Sequence, residues 1–132
     1  MKASEIQIGD WLYYKGQFNA FHFKVESITK KKVGYHAEPN GHRMYYLRLS
    51  ECKPIPLTPE ILEKNGFKYK EGETGMYGVT TAPHYICDGV PFEVFCDGEP
   101  FAIWFKEPVD IKFAHQLQQA LRLCGTEKEI IL

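Results

Sequence analysis

Basic and aromatic residues alternate through the N-terminal half of this sequence, and the combination indicates one kind of binding chemistry. Lysine and arginine neutralise phosphates and aromatic rings stack on bases, so together they suit single-stranded nucleic acid. The basic residues are Lys24, Lys30, Lys31, Lys32, Arg43, Arg48 and Lys53, and the rings between them are Trp11, Tyr13, Tyr14, Tyr35, Tyr45 and Tyr46. A small β unit also needs rings to fill its core. The alternative is therefore that most rings are buried, the charges are scattered and the partner is a protein.

A polar cluster near the C-terminus is the second candidate site. His115, Gln119 and Arg122 have the spacing of one helix face, because residues three and four apart are neighbours on a helix surface. Such a face either binds the backbone of a partner or hydrogen-bonds a neighbouring loop of its own chain. The candidate binding residues from both sites are Lys30, Lys31, Lys32, Arg43, Arg48, His115, Gln119 and Arg122.

The histidines and cysteines match no metal-binding or catalytic template. Zinc sites need two pairs of ligands at short spacing, and no second pair accompanies the nearest candidates, which are His36 with His42 and His84 with Cys87. Cys87 and Cys96 each precede an Asp-Gly turn, where the neighbouring carboxylate opposes formation of a thiolate. Turns favour Asp there for backbone hydrogen bonding. We therefore expect a non-enzymatic protein with no metal or cofactor, and an enzyme is the least supported alternative.

The composition is that of a folded protein with an uneven distribution of charge. Hydrophobic residues make up 44% and charged residues 25% of the chain, which argues against disorder. Residues 1–57 carry nine Lys and Arg against five Asp and Glu, a net charge of +4, whereas residues 58–132 carry seven against twelve, a net charge of −5. The two halves therefore either attract each other or leave a basic binding face on the first half.

The compartment and the partners of the protein are predicted from the targeting and membrane-spanning signals that its sequence does not show. The N-terminal residues contain no apolar segment typical of a signal peptide, and no apolar run approaches the length that spans a bilayer. The four cysteines are dispersed without a CxxC pair, so we expect free thiols in a cytoplasmic protein. We expect a protein partner or self-association, with nucleic acid as the alternative partner and no membrane association.

Residues 1–57 have the pattern of a small β unit. Alternating apolar and polar residues between turn signals predict strands, at 11–14, 21–28, 33–36 and 43–49. Turns are predicted at Glu38–Gly41 and at Lys30–Lys32, the latter exposed to solvent. This many short strands in about fifty residues indicates an SH3-like β-barrel.

Residues 58–132 are predicted to form a short helix, a three-stranded antiparallel meander and a C-terminal helix, packed with the first part as one compact unit. Thr58 at the N-cap and Pro59 at the first helical position begin the short helix, and Asn65-Gly66 ends it. A loop at 71–78 precedes the meander, and residues 129–132 are predicted to add a terminal strand.

The C-terminal helix is predicted from its apolar spacing and its ends. Asp110 caps it and Gly125 ends it. Its apolar face, at helical spacing, consists of Ile111, Ala114, Leu117, Leu121 and Cys124.

A nine-residue repeat determines the predicted register of the meander. Cys87–Phe92 and Cys96–Phe101 share the pattern Cys-Asp-Gly-x-Pro-Phe. The middle strand forms one hairpin on each of its two edges, and successive residues of a strand direct their N–H and C=O groups to alternate edges. The residue that closes the first hairpin and the residue that closes the second must therefore be an odd number of positions apart. Three-residue Cys-Asp-Gly loops satisfy this rule, which predicts strands at 84–86, 90–95 and 99–105, and left-handed Gly89 and Gly98 in G1-bulge hairpins.

That register makes both faces of the meander apolar. One face carries Ile86, Val90, Phe92, Val94 and Trp104, and the other carries Tyr85, Pro91, Phe95, Phe101, Ile103 and Phe105. We expect the C-terminal helix to cover one face, and the N-terminal part or a second copy of the chain to cover the other.

Several segments resemble one protein family. Leu57–Phe67, Phe113–Gln118 and the residues from Leu121 onward, with the opening Ile8–Leu12, are similar to a family of small uncharacterised proteins of gut Bacteroidetes, often found in prophages and other mobile elements. The resemblance covers most of the chain in order, with Lys68–Val109 as the variable part. It implies an origin in a mobile element and carries no catalytic or binding residue to this sequence.

Overall fold

The computed structural model describes residues 1–38, 41–72, 74–75, 78, 81–104, 107–126 and 128–132. The fold is α+β, with mostly short strands in three antiparallel sheets and two helices, which confirms the predicted class. The chain divides into two units, Met1–Ile55 (unit 1) and Pro56–Leu132 (unit 2). None of the described helices is long and apolar enough to cross a membrane.

The described residues of unit 1 form six strands in two three-stranded sheets. The strands are β1 (Trp11–Lys15), β2 (Ala20–Lys24), β3 (Ser27–Ile28), β4 (Lys32–His36), β5 (Met44–Arg48) and β6 (Cys52–Pro54). One sheet has the order β2-β1-β6 and the other the order β3-β4-β5. Short 3-10 helices lie at Ala3–Glu5 and Leu49–Glu51.

A bend at Val25 carries the chain from one sheet of unit 1 to the other. Val25 is buried; its N–H donates to the carbonyl of Asp10 (2.9 Å) and its carbonyl accepts from the N–H of Gly9 (2.7 Å). Gly9 has a φ of +93°, which residues with a Cβ rarely adopt. The predicted alternation along 21–28 is confirmed, but the single strand predicted there is wrong, because the bonds of Val25 go to this preceding segment and split it into β2 and β3.

The core of unit 1 is formed by the inward residues of both sheets. It contains Ile6, Leu12, Phe23, Val25, Val33, Leu49 and Cys52. The described strands remain two separate sheets and do not join into one closed barrel, so the predicted barrel is not confirmed. Pro39 and Asn40 of the predicted turn lie outside the described residues.

The described residues of unit 2 form two helices and one five-stranded antiparallel sheet. Its elements are α1 (Pro59–Lys64), β7 (Lys68–Lys70), β8 (His84–Ile86), β9 (Val94–Phe95), β10 (Phe101–Trp104), β11 (Pro108–Ile111) and α2 (Ala114–Leu123). The strand order is β11-β10-β9-β8-β7. The predicted meander is present as β8, β9 and β10, and sequence reasoning missed the two flanking strands. Glu73, Met76 and Tyr77 of the predicted loop at 71–78 lie outside the described residues.

Helix α1 begins and ends with the capping residues that the sequence predicts. The hydroxyl of Thr58 accepts a hydrogen bond from the N–H of Ile61 (3.3 Å), and Pro59 occupies the first turn. Gly66 ends the helix with a φ of +85°, the left-handed stop that glycine permits. Phe67 then turns back, donating its N–H to the carbonyl of Leu62 (3.0 Å).

The strand order of the meander is confirmed, but its predicted register is wrong. Tyr85 pairs with Val94, and Val94 pairs with Ile103, so each hairpin encloses a longer loop than the three residues predicted. Pro91 and Pro100 explain the shift, because proline has no N–H for a strand ladder and is excluded from central strands.

The two repeated loops also differ in backbone conformation. Gly89 has the predicted positive φ, +79°, whereas Gly98 is not in the left-handed region. The N–H of Val90 donates to the carbonyl of Cys87 (3.1 Å), which closes a turn around Asp88-Gly89. The prediction of two identical G1-bulge hairpins is therefore wrong for the second hairpin.

One face of the sheet in unit 2 forms a core with α2. Tyr85, Val94 and Ile103 lie side by side across three strands and are buried together with Leu117 and Leu121. This confirms that the C-terminal helix packs through Leu117 and Leu121, whereas Ile111, predicted on the same helix face, is buried as part of β11.

The opposite face of this sheet is mixed rather than apolar. Trp104 lies there and is 56% exposed, although the predicted register placed it beside Val94. The flanking strands place Lys70 and Asp110 in the same row as His84. The prediction that both faces are too apolar to meet water is therefore wrong. Phe105 lies outside the described residues.

The start of α2 differs from the prediction. Asp110 lies in β11, and the N-cap position is Phe113. The side chain of Gln116 supplies the cap, because its Oε1 accepts from the N–H groups of Lys112 (2.7 Å) and Phe113 (3.1 Å). Gly125 follows the helix with a φ of +73°, as predicted.

Asn65 fastens the C-terminal segment to α1. Its Nδ2 donates to the carbonyls of Ile61 and Ile131, and its Oδ1 accepts from the N–H of Ile131, each at 2.7 Å. The strand predicted at 129–132 is wrong, because these residues pair with no other strand. The hydrogen bonds between Asn65 and Ile131 hold this segment instead.

We expect Asn65→Ala to lower the free energy of unfolding by about 1–3 kcal/mol, because the backbone groups of Ile61 and Ile131 lose the hydrogen bonds of this buried side chain. Urea denaturation followed by circular dichroism measures the change. Glu63→Ala, at an exposed position of the same helix, is the control. Equal midpoints for the two variants would contradict the role assigned to Asn65.

Candidate functional site

A groove on unit 1 brings together most of the predicted basic residues. Its volume is about 780 Å³, and Lys2, Lys30, Lys31, Lys32 and Arg48 line it together with Ser4 and Ser50. We call this surface the basic groove. Among the described residues, those that line it include no Asp or Glu. Closely spaced cations without carboxylates produce a positive potential that attracts polyanions.

Backbone hydrogen bonds hold the basic groove in shape. In the turn that carries Lys30 and Lys31, the N–H of Thr29 donates to the carbonyl of Lys32 (2.9 Å). The hydroxyl of Thr29 accepts a hydrogen bond from the N–H of Lys32 (3.1 Å). The carbonyl of Lys31 accepts from the N–H of Leu49 (2.8 Å). The turn is thus tied to the end of β5, and Lys32 lies directly opposite Arg48 across the strand pair.

Arg43 does not belong to the basic groove. It precedes β5, whereas Arg48 ends that strand, and five residues of strand span about 16 Å. The guanidinium of Arg43 lies 5.2 Å from the ring centre of Tyr45 instead. The structure therefore brings together four of the five basic residues predicted to bind, and places the fifth at the other end of the sheet.

The aromatic rings of unit 1 are divided between the core and the surface. Phe23 is buried and Tyr35 partly buried, with their ring centres 5.3 Å apart. Tyr46 is 56% exposed and shares its face of the sheet with Lys32 and Arg48, because alternate strand residues point the same way. One exposed ring therefore adjoins the basic groove.

The predicted polar face of α2 is not an open site. His115 is buried and stacks on Phe113, with ring centres 5.8 Å apart and an interplanar angle of 9°. Gln119 is partly buried and Arg122 is exposed. The three residues keep their helical spacing, but they run from the interior to solvent. The burial of His115 against Phe113 agrees with the alternative that this face contacts its own chain.

The cysteines and histidines do not assemble a reactive centre in the part of the chain that the structure describes. Burial, and to a lesser extent Glu51, raises the pKa of the Cys52 thiol to about 11. Burial followed by Asp97 raises the pKa of Cys96. No group of three metal-ligating side chains occurs among these residues. His36 contacts the carboxylate of Glu26, and Nδ1 of His84 lies 2.9 Å from the carbonyl of Ala82.

A second concave surface lies on unit 2. It has a volume of about 850 Å³ and an aromatic wall of Tyr69, Tyr85 and Phe101. The ring centres of Tyr69 and Tyr85 are 5.5 Å apart, and those of Tyr85 and Phe101 are 6.4 Å apart. Three prolines also line it, namely Pro59, Pro83 and Pro100, and Glu99 and Lys112 supply its charges. We call it the aromatic cleft.

Sequence reasoning missed Lys2, Ser4 and Ser50 of the basic groove. Lys2 and Ser4 precede the first strand and carry no periodic signal; Ile6, buried in the core, anchors their segment. Ser50 lies in the 3-10 helix after β5, which no sequence pattern predicted.

Comparison of the chain with protein-family models, with curated proteins and with solved structures finds no match. The function proposed for the chain therefore depends on the geometry of its two units.

Proposed function

We propose that the chain is a non-enzymatic binding protein whose unit 1 binds the phosphate backbone of nucleic acid. The observation that carries the proposal is the basic groove, in which five Lys and Arg side chains converge with no carboxylate among the described lining residues. Phosphates are the ligands that such a surface fits, since each neutralised phosphate releases a condensed counterion.

The connectivity of unit 1 supports an SH3-like arrangement as its scaffold. The segment β2–β3 bends at Val25 and contributes to both sheets, and β6 returns after a 3-10 helix to pair with β1. Two small sheets joined by one bent segment are the architecture expected of a partly open barrel. In this arrangement the basic groove lies between the β3–β4 turn and the 3-10 helix.

A binding role is also favoured by the thiols and by the origin that the sequence implies. The raised pKa values of Cys52 and Cys96 keep these thiols protonated near neutral pH, which disfavours nucleophilic chemistry. The resemblance to proteins of Bacteroidetes prophages fits an accessory protein of a mobile element, working beside nucleic acid in the cytoplasm.

The proposal is tested by fluorescence anisotropy with labelled single-stranded DNA, single-stranded RNA and duplex DNA. We expect binding in the low micromolar range or tighter at ~50 mM salt. Four to five phosphate contacts on a single strand predict a slope of about −3 in a plot of log affinity against log salt. Affinity independent of salt, or no binding to any of the three probes, would contradict the proposed function.

A protein partner is the second candidate function, and the aromatic cleft of unit 2 favours it. Grooves lined by aromatic rings bind proline-rich segments in the polyproline II conformation, and Glu99 at the cleft would pair with a basic residue beside such a segment. Titration with a basic proline-rich peptide, and sedimentation analysis for self-association, separate this candidate from the first.

A further inference from the structure

The outward face of the sheet β2-β1-β6 carries rings and cations where an antiparallel sheet exposed to solvent normally carries small polar residues. Leu12 and Phe23 point into the core, so the alternate positions of β1 and β2 point away from it. We call this outward surface the aromatic-basic face. It consists of Trp11, Tyr13, Lys15, His22, Lys24 and Lys53.

Cross-strand pairing arranges these side chains in rows. Trp11 is opposite Lys24, whose Nζ lies 5.9 Å from the indole centre. Tyr13 lies between His22 on one side and Lys53 on the other, with the rings of Tyr13 and His22 5.4 Å apart. Successive rows are about 6.7 Å apart along the strands, so the rows of Trp11 and Tyr13 each present a ring next to a cation.

The charges of this face suit an anionic ligand with flat rings. The outward positions of β1, β2 and β6 include three lysines and, in these described strands, no Asp or Glu. Trp11, His22 and Lys24 also line an open groove of about 760 Å³, so a ligand has access to them. Glu26 and Glu38 also line that groove, and the carboxylate of Glu26 is in contact with His36.

We propose that the aromatic-basic face binds single-stranded nucleic acid by stacking unpaired bases on Trp11 and Tyr13, with the lysines beside the sugar-phosphate chain. The inference rests on the proposed function in that it takes the ligand to be nucleic acid, but it adds a second surface and a preference for single strands. Base stacking on aromatic side chains requires bases that are not enclosed in a duplex.

The test uses the fluorescence of Trp11 itself. The chain has two tryptophans, so Trp104→Phe leaves Trp11 as the reporter in an otherwise unaltered unit 1. We expect saturating oligo(dT) to quench this fluorescence, and duplex DNA of equal charge to leave it nearly unchanged. In anisotropy titrations, Tyr13→Leu is expected to weaken oligo(dT) binding about 5- to 150-fold, the range for loss of one stacked base, with duplex binding altered less than about twofold.

A matched control is available in the same hairpin. Phe18 is 89% exposed at the loop between β1 and β2, off the sheet face, and Phe18→Ser should change oligo(dT) affinity less than about twofold. Salt-dependent binding without quenching of Trp11, or equal losses for Tyr13→Leu and Phe18→Ser, would overturn the inference and leave the proposed function standing. No binding of any nucleic acid would overturn both. The quenching measurement uses a protein in which the sheet β2-β1-β6 is unaltered, so it tests the inference even if the Tyr13→Leu variant fails to fold.

Discussion

Replacement of Leu117 by alanine is expected to lower the free energy of unfolding by about 2–5 kcal/mol. Leu117 is completely buried in α2 and belongs to the core cluster that includes Leu62, Val94 and Ile103. The substitution removes buried methyl groups and leaves a cavity that rigid neighbours on the sheet cannot fill. Urea or guanidinium denaturation followed by circular dichroism measures the loss.

The same helix provides the control for this substitution. Leu123 is 79% exposed, so Leu123→Ala removes the same atoms from solvent-facing surface and should change the free energy of unfolding by less than about 0.5 kcal/mol. A loss below about 1 kcal/mol for Leu117→Ala, or equal losses for both variants, would show that this face of α2 does not form the core.

Reversal of two charges in the basic groove is expected to weaken the binding of nucleic acid strongly. Lys31→Glu with Arg48→Glu removes two phosphate contacts, and at ~50 mM salt each contact on a single strand contributes close to a factor of ten. We expect single-stranded DNA to bind on the order of 50- to 100-fold more weakly, and the salt slope to become shallower by about 1.4. Both side chains are exposed, and the carbonyl of Lys31, which bonds Leu49, is retained.

Arg43 is the matched control for the charge reversal. It is an arginine that directly precedes β5 and lies beside Tyr45, whereas Arg48 of the basic groove lies at the other end of that strand. Arg43→Glu should therefore leave the salt slope unchanged and weaken binding only through the net charge of the chain. If Arg43→Glu weakens binding as much as the groove variant, the ligand is attracted by overall charge and the basic groove is not the site.

The basic groove also shows which features of a binding site are evident in the sequence and which depend on the tertiary structure. The cluster Lys30–Lys32 is evident in the sequence as a basic turn, and its solvent exposure is confirmed. Arg48 joins it because β4 and β5 pair with Lys32 opposite Arg48. The same pairing places Arg43 at the far end, so two arginines that looked equivalent in the sequence have different positions relative to the site.

The meander of unit 2 shows where local patterns mislead. Asp-Gly turns and alternating rings predicted the number and order of the strands, but Pro91 and Pro100 lengthened the loops and changed the register. A change of register alters which side chains meet across the sheet and which face each one joins. Trp104 consequently lies on the exposed face, opposite to the one that carries Val94.

The sequence by itself determined the α+β class, both ends of α1, the glycine that ends α2 and the apolar face by which α2 packs. These features depend on residues within a few positions of each other, such as Thr58 with Ile61 or Gly66 with its own φ. Only the tertiary structure decided the split of 21–28 into two strands, the burial of His115 and the convergence of Lys2 with Arg48. The physical reason is that strand register and helix docking depend on residues far apart in the chain. These residues compete for the same buried surface, and a local sequence pattern contains no information about that competition.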